Sequence, residues 1–94
     1  MRKPKTRRVL KNAGSDKAFW LKNGQMIINL KELFDSVNQM SDLDFEYHVN
    51  KEKNDFVNWI KNVLGEEDLA KKMVRYKSKL PFISILKYHI EKYY

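Results

Sequence analysis

Phe56, Trp59, Ile60, Val63 and Leu64 fall at offsets of three, four, seven and eight, with Gly65 directly behind them. That spacing gathers five large apolar side chains on one side of a helix, a stripe that must be covered by other elements, and the glycine supplies the stop. The neighbouring segments repeat the arrangement. Asn29 is followed three positions later by Glu32, and Leu30, Leu33, Phe34 and Val37 recur at helical spacing, which predicts a capped helix from about Leu30 to Met40. Ser41 with Asp44 predicts a second cap and a short helix through Phe45 and Tyr47 toward Val49, and a third helix runs from Asn50 or Asn54 to Leu64.

Glu66, Glu67 and Asp68 place acidic charge at the first turn of a fourth helix, where the macrodipole favours it, while Lys71, Lys72, Arg75, Lys77 and Lys79 load its end with positive charge. Leu69, Ala70, Met73, Val74 and Tyr76 supply its apolar face. Pro81 breaks that helix near Ser78 to Leu80 and enters the first turn of a last one, with Phe82, Ile85, Leu86, Ile90 and Tyr93 expected on one side. Ahead of the helices, Ala18-Phe19-Trp20-Leu21 and Gln25-Met26-Ile27-Ile28 flank Lys22-Asn23-Gly24. An Asn-Gly pair between two apolar runs signals a hairpin, because both residues tolerate positive φ. The expected fold class is mainly α: a short N-terminal β-hairpin, then four to five short helices, in one compact domain over residues 18–94. Ninety-four residues suffice for one modest core.

Charge is distributed very unevenly. Residues 1–17 hold Arg2, Lys3, Lys5, Arg7, Arg8, Lys11 and Lys17 against Asp16, seven minus one, so this segment carries +6 of the chain's +7. Val9 and Leu10 are its large apolar residues after Met1, and Pro4 and Gly14 interrupt it, which predicts a basic flexible arm, disordered in isolation. The electrostatic footprint is therefore an arm attached to a nearly neutral body. The chain has no cysteine and no apolar run long enough to span a bilayer, and polar residues follow the basic start where a signal peptide needs an apolar stretch. A cytoplasmic protein is expected.

Phe45-Glu46-Tyr47-His48-Val49-Asn50, then Asn54-Asp55-Phe56-Val57-Asn58-Trp59-Ile60, then Val63-Leu64-Gly65 and Leu69-Ala70 form a pattern of F-x-Y-H-V-N, N-D-F-x-N-W-I, L-G and L-A. With the Asn-Gly hairpin and Leu30-Lys31-Glu32-Leu33 ahead of it, this resembles a small module of archaeal and candidate-phylum bacterial proteins, over about Phe19 to Met73. That module carries no assigned activity, so the resemblance implies fold and compartment alone. The basic arm and the segment from Lys71 to Tyr94 lie outside it.

No residue here is assigned a catalytic role. His48 has Asp44, Glu46 and Asp55 near it in sequence, but Asp44 and His48 lie one helical turn apart and are expected to pair, with Asn50, Asn54 and Asp55 capping the next helix. Two histidines 41 positions apart, without thiols or an H-E-x-x-H spacing, offer no metal site, and three scattered glycines make no phosphate-cradling loop, so no cofactor is expected. Trp20 and Trp59, with Phe19, Phe45 and Phe56, are expected in the core and not stacked on bases. Tyr88, Tyr93 and Tyr94, flanked by Lys87 and Lys92, read either as an aromatic and cationic patch for a partner or as a staple at the helix end.

The arm carries the functional expectation. Arg2, Lys3, Lys5, Arg7, Arg8 and Lys11, seconded by Lys71, Lys72, Arg75, Lys77 and Lys79, suit a polyanion, RNA in preference to DNA, contacted at its phosphates with little sequence specificity. The expected function is that of a non-enzymatic, ribosome- or nucleoid-associated protein. The alternative is a protein-interaction adaptor using the hairpin edge or the last helix.

Overall fold

Three phenylalanines from three helices meet at the centre of the molecule: Phe45 and Phe82 with ring centroids 5.3 Å apart, edge to face, and Phe56 at 5.6 Å from Phe82 and 6.1 Å from Phe45. All three are essentially inaccessible to solvent. The computed structural model describes residues 8–94, and around this aromatic centre it arranges a hairpin and five helices. The elements are β1 (Phe19–Trp20), β2 (Met26–Ile27), α1 (Leu30–Gln39), α2 (Asp42–His48), α3 (Asp55–Asn62), α4 (Glu67–Met73) and α5 (Lys79–Tyr93), with a single 3-10 turn over Ser15–Lys17. The expected class, a short hairpin leading into a mainly helical domain, is the observed one. α5, the longest element, packs against both α1 and α4, and α4 packs on α3.

The caps explain where the helices start. Asn29 Oδ1 accepts from the Glu32 N–H at 2.8 Å, Ser41 Oγ from Asp44 at 3.1 Å, and Asn54 Oδ1 from Val57 at 3.0 Å. Glu32 does not close the expected reciprocal box on its own cap residue. Its Oε1 accepts from the Ile28 N–H at 3.0 Å, one residue earlier, which ties the end of β2 to α1. α4 is shorter than expected, ending at Met73, because its buried stripe of Leu69, Ala70 and Met73 has no successor: Val74 and Tyr76 stay exposed and Lys77 could not take the next inward position.

The hairpin turn differs from a two-residue Asn-Gly turn. Leu21 donates to the Gln25 carbonyl at 2.9 Å and Gly24 to the Leu21 carbonyl at 2.9 Å, so Lys22-Asn23-Gly24 is a three-residue loop. Gly24 alone takes positive φ (91°), and the Asn23 side chain instead accepts from the Gln25 N–H at 2.8 Å. The register pairs Phe19 with Ile27 and Trp20 with Met26. Ile27 is fully buried and Phe19 packs on Phe56 and Trp59, so the opposite pair faces out, with Trp20 60% and Met26 42% exposed. The expectation of a core position thus fails for Trp20. It holds for Trp59, whose indole N–H donates to the Lys17 carbonyl at 2.8 Å.

That bond belongs to a further correction. Residues 8–17, expected as part of a free arm, are laid against the domain: Ala13 donates to the Ile28 carbonyl at 2.7 Å, Asn29 Nδ2 to Asn12 Oδ1 at 2.8 Å, and Leu10 and Ala13 pack on the core. Two apolar side chains and these hydrogen bonds hold a segment that also carries the charged Arg8, Lys11, Asp16 and Lys17. The expectations for Arg2, Lys3, Lys5 and Arg7 lie outside the described residues.

Candidate nucleic-acid interface

Gly65 adopts φ of 69°, and the Glu66 N–H then reaches back to the Ile60 carbonyl at 3.0 Å, closing α3 and setting Glu66 at the entry to α4. From there its carboxylate meets three groups from the two ends of the chain. Oε1 accepts from Arg8 Nη1 at 3.3 Å and lies 3.0 Å from His89 Nε2, and Oε2 accepts from the Tyr94 hydroxyl. The Glu66 and His89 side chains are 10% and 5% exposed. An ionised carboxylate only accepts, so the histidine proton sits on Nε2. Burial lowers the His89 pKa from 6.5, with the Glu66 hydrogen bond and charge opposing and the Arg8 and Lys72 charges adding. Burial, followed by the bond to Glu66 and its charge, pushes Tyr94 up to about 12, against the influence of Arg8.

Arg8 is anchored twice more. Its N–H donates to the Tyr93 carbonyl at 2.7 Å, and its guanidinium carbon lies 4.0 Å from the centroid of the Tyr93 ring, a cation–π arrangement. Lys11 comes near the same turn, its Nζ 3.8 Å from where a side chain on Gly65 would begin. A groove of about 250 Å³ beside this cluster is lined by Arg8, Asp68, Lys71, Lys72, His89 and Tyr93. A second groove, of about 400 Å³, is lined by Lys71, Lys72, Arg75, Tyr76 and Ile85. Lys71 and Lys72 belong to both, so they join the two into one basic surface along the last turn of α4.

The structure therefore brings together Arg8, Lys71, Lys72 and Arg75, with Lys11 close by, and separates the rest of the expected set. Lys77 and Lys79 line a different groove, which they share with Asp42 and Glu46, and Lys79 Nζ donates to the Met40 carbonyl at the end of α1. The helix expected to carry them ends at Met73, so they no longer share its face. Of the tyrosines, Tyr88 is 60% exposed with Lys92 Nζ 5.7 Å from its ring, Tyr93 lies under Arg8, and Tyr94 is held by Glu66. Tyr93 and Tyr94 thus act as a staple between the chain ends.

No family model, curated protein or solved structure matches this chain.

Sequence reasoning missed the pairing of the partly buried Glu66 with the buried His89 at the centre of the cluster. A signal was present: His89 stands seven positions after Phe82 and three after Leu86, on the inward stripe of α5, where a histidine must find a partner. His48 also pairs differently from expectation. Its Nδ1 lies 3.0 Å from Asp55 Oδ2, not against Asp44, and its Nε2 accepts from the Lys22 N–H at 3.3 Å. The ring touches a polar groove of about 270 Å³ lined in part by Ser36, Gln39, Ser41 and Asp44, but both its nitrogens are engaged by the protein. Among the described residues, no three His, Asp or Glu side chains converge to hold a metal ion, and no helix is long and apolar enough to cross a membrane.

Proposed function

We propose that this chain is a non-enzymatic RNA-associated protein that grips phosphates through the basic surface of α4 and the cationic segment leading into Arg8, with little sequence specificity. The observation that carries this reading is the sharing of Lys71 and Lys72 between two adjoining grooves, one bounded by Arg8 and the other by Arg75 and Tyr76. Arg2, Lys3, Lys5 and Arg7 precede Arg8 within six residues, so a fully extended chain keeps them within roughly 20 Å of that surface. Backbone-tracking cations with an exposed tyrosine and no base-reading motif suit folded RNA, and ribosome association is the preferred setting, with the nucleoid as its competitor.

A salt-titrated binding assay with single-stranded RNA tests it, using the full chain, a K71A/K72A/R75A variant and a variant with Arg2, Lys3, Lys5 and Arg7 replaced by serine. Losing three phosphate contacts flattens the logarithmic salt slope by about 2 on single strands. Both variants are expected to bind more weakly than the parent. Absence of salt-sensitive binding by the parent, or unchanged binding by both variants, overturns the reading.

A second reading, a protein-interaction adaptor, is favoured by the outward hairpin pair Trp20 and Met26, which exposes an aromatic ring and a thioether side by side. A mass above that of the 11.3 kDa monomer that falls back in a W20S/M26S variant would support it.

A further inference from the structure

Arg8 is oriented by the fold before any ligand arrives. Its backbone is fixed on the Tyr93 carbonyl, its guanidinium rests on the Tyr93 ring, and one side of its fork is taken by Glu66. Half of the side chain, 49%, nevertheless remains open to solvent. A guanidinium has five N–H donors in one plane, so the exposed side retains donors whose direction is already set, and little rotamer freedom is left to lose on binding. The open side borders the groove that Lys71 and Lys72 enter from the last turn of α4. These two are exposed ammonium groups on flexible stems, able to follow an anion that Arg8 has positioned.

We infer that this groove is a discrete subsite for one phosphate group, held by the Arg8 fork and closed over by Lys71 and Lys72. Three cationic side chains from two separate stretches of chain converge on about 250 Å³, against Asp68 as the carboxylate on the lining. That many donors match an oxyanion with several free oxygens better than a carboxylate with two. His89, whose Nε2 is turned to Glu66, and Tyr93 form the wall and floor. Glu66 orients the arginine from behind, as a carboxylate behind a phosphate-binding arginine does, while itself being nearly closed off from solvent. The identity of the phosphate as part of an RNA backbone rests on the function proposed above; the subsite itself does not.

The test is a titration of the full, 15N-labelled chain with inorganic phosphate at constant ionic strength, followed by NMR. Saturable shifts are expected at Arg8, Lys71, Lys72 and Tyr93, and none at Lys31 on α1, whose partner is Asp35. K71A and K72A each weaken phosphate by about twofold to fivefold, the range of an exposed ion pair, without disturbing the fold. R8K, which keeps the charge but removes the fork, weakens it as well. Equal shifts at Lys31 and in the groove, or unchanged affinity in all three variants, would overturn the subsite. A short RNA that shifts the same residues and is displaced by phosphate identifies the source as nucleic acid. Phosphate binding here with no response to RNA supports the subsite as one for free phosphate, and overturns the RNA reading alone.

Discussion

The imidazole Nδ1 of His48 and the carboxylate of Asp55 face each other at 3.0 Å across the loop that joins α2 to α3. The opposite nitrogen accepts from the Lys22 N–H at 3.3 Å, so the ring uses its Nδ1–H tautomer to tie the hairpin to two helices at once. Phe19, Tyr47 and Phe56 pack around it at centroid distances of 5.2, 4.9 and 5.1 Å. Lys53 holds the same Asp55 oxygen at 3.0 Å from the solvent side.

Removing Asp55 leaves the N–H of a buried histidine without its acceptor. D55A is therefore expected to lose about 1–3 kcal/mol of stability in urea unfolding. D44A, which alters the carboxylate that spacing alone would have paired with His48, should change stability by no more than about 0.5 kcal/mol. Equal losses in the two variants would refute the assignment of Asp55 as the partner.

Stability should fall at both ends of the pH range through one cluster. Burial lowers the folded-state pKa of His89 below 6.5, so on acidification through and below that value the unfolded chain binds a proton that the folded chain refuses, and stability is lost as pH falls. In the alkaline range the sign reverses. The Tyr94 hydroxyl keeps its proton up to about 12 when folded and releases it near 10.0 when unfolded, so stability is lost as pH rises between those values. Thermal melts from pH 4 to 12 check both: H89Q should flatten the acid limb relative to the parent and Y94F the alkaline limb, each leaving the other in place.

Gly24 isolates a purely conformational cost. Its φ is 91°, and a Cβ added there would meet nothing within 4 Å. G24A is thus expected to destabilise by about 1–2 kcal/mol through backbone strain alone. Asparagine enters the left-handed region more readily, so G24N should cost less than G24A in the same denaturation series. Equal stability of G24A and the parent would contradict the positive φ.

What the sequence determined by itself is local. Caps at Asn29, Ser41 and Asn54, the glycine stop at 65, and the apolar spacings of α1, α3 and α5 depend on neighbours within one or two turns, and those helices stand where the spacing puts them. The hairpin was legible for the same reason, but its loop type was not. Whether Asn23 takes positive φ or spends its side chain on the Gln25 N–H depends on how the strands twist onto the core.

Only the tertiary structure decided which charges meet. Arg8, Glu66, His89 and Tyr94 are separated by up to 86 positions and come together because α5 returns along α1 and α4 to bring its end beside the entry to α4. The same geometry divided a run of basic residues that looks continuous in sequence, leaving Lys71, Lys72 and Arg75 on one surface and tying Lys79 to the end of α1. Periodicity says which way a side chain faces along its own helix; which group it faces is set by the packing of elements distant in sequence, and that information is nowhere in a local window.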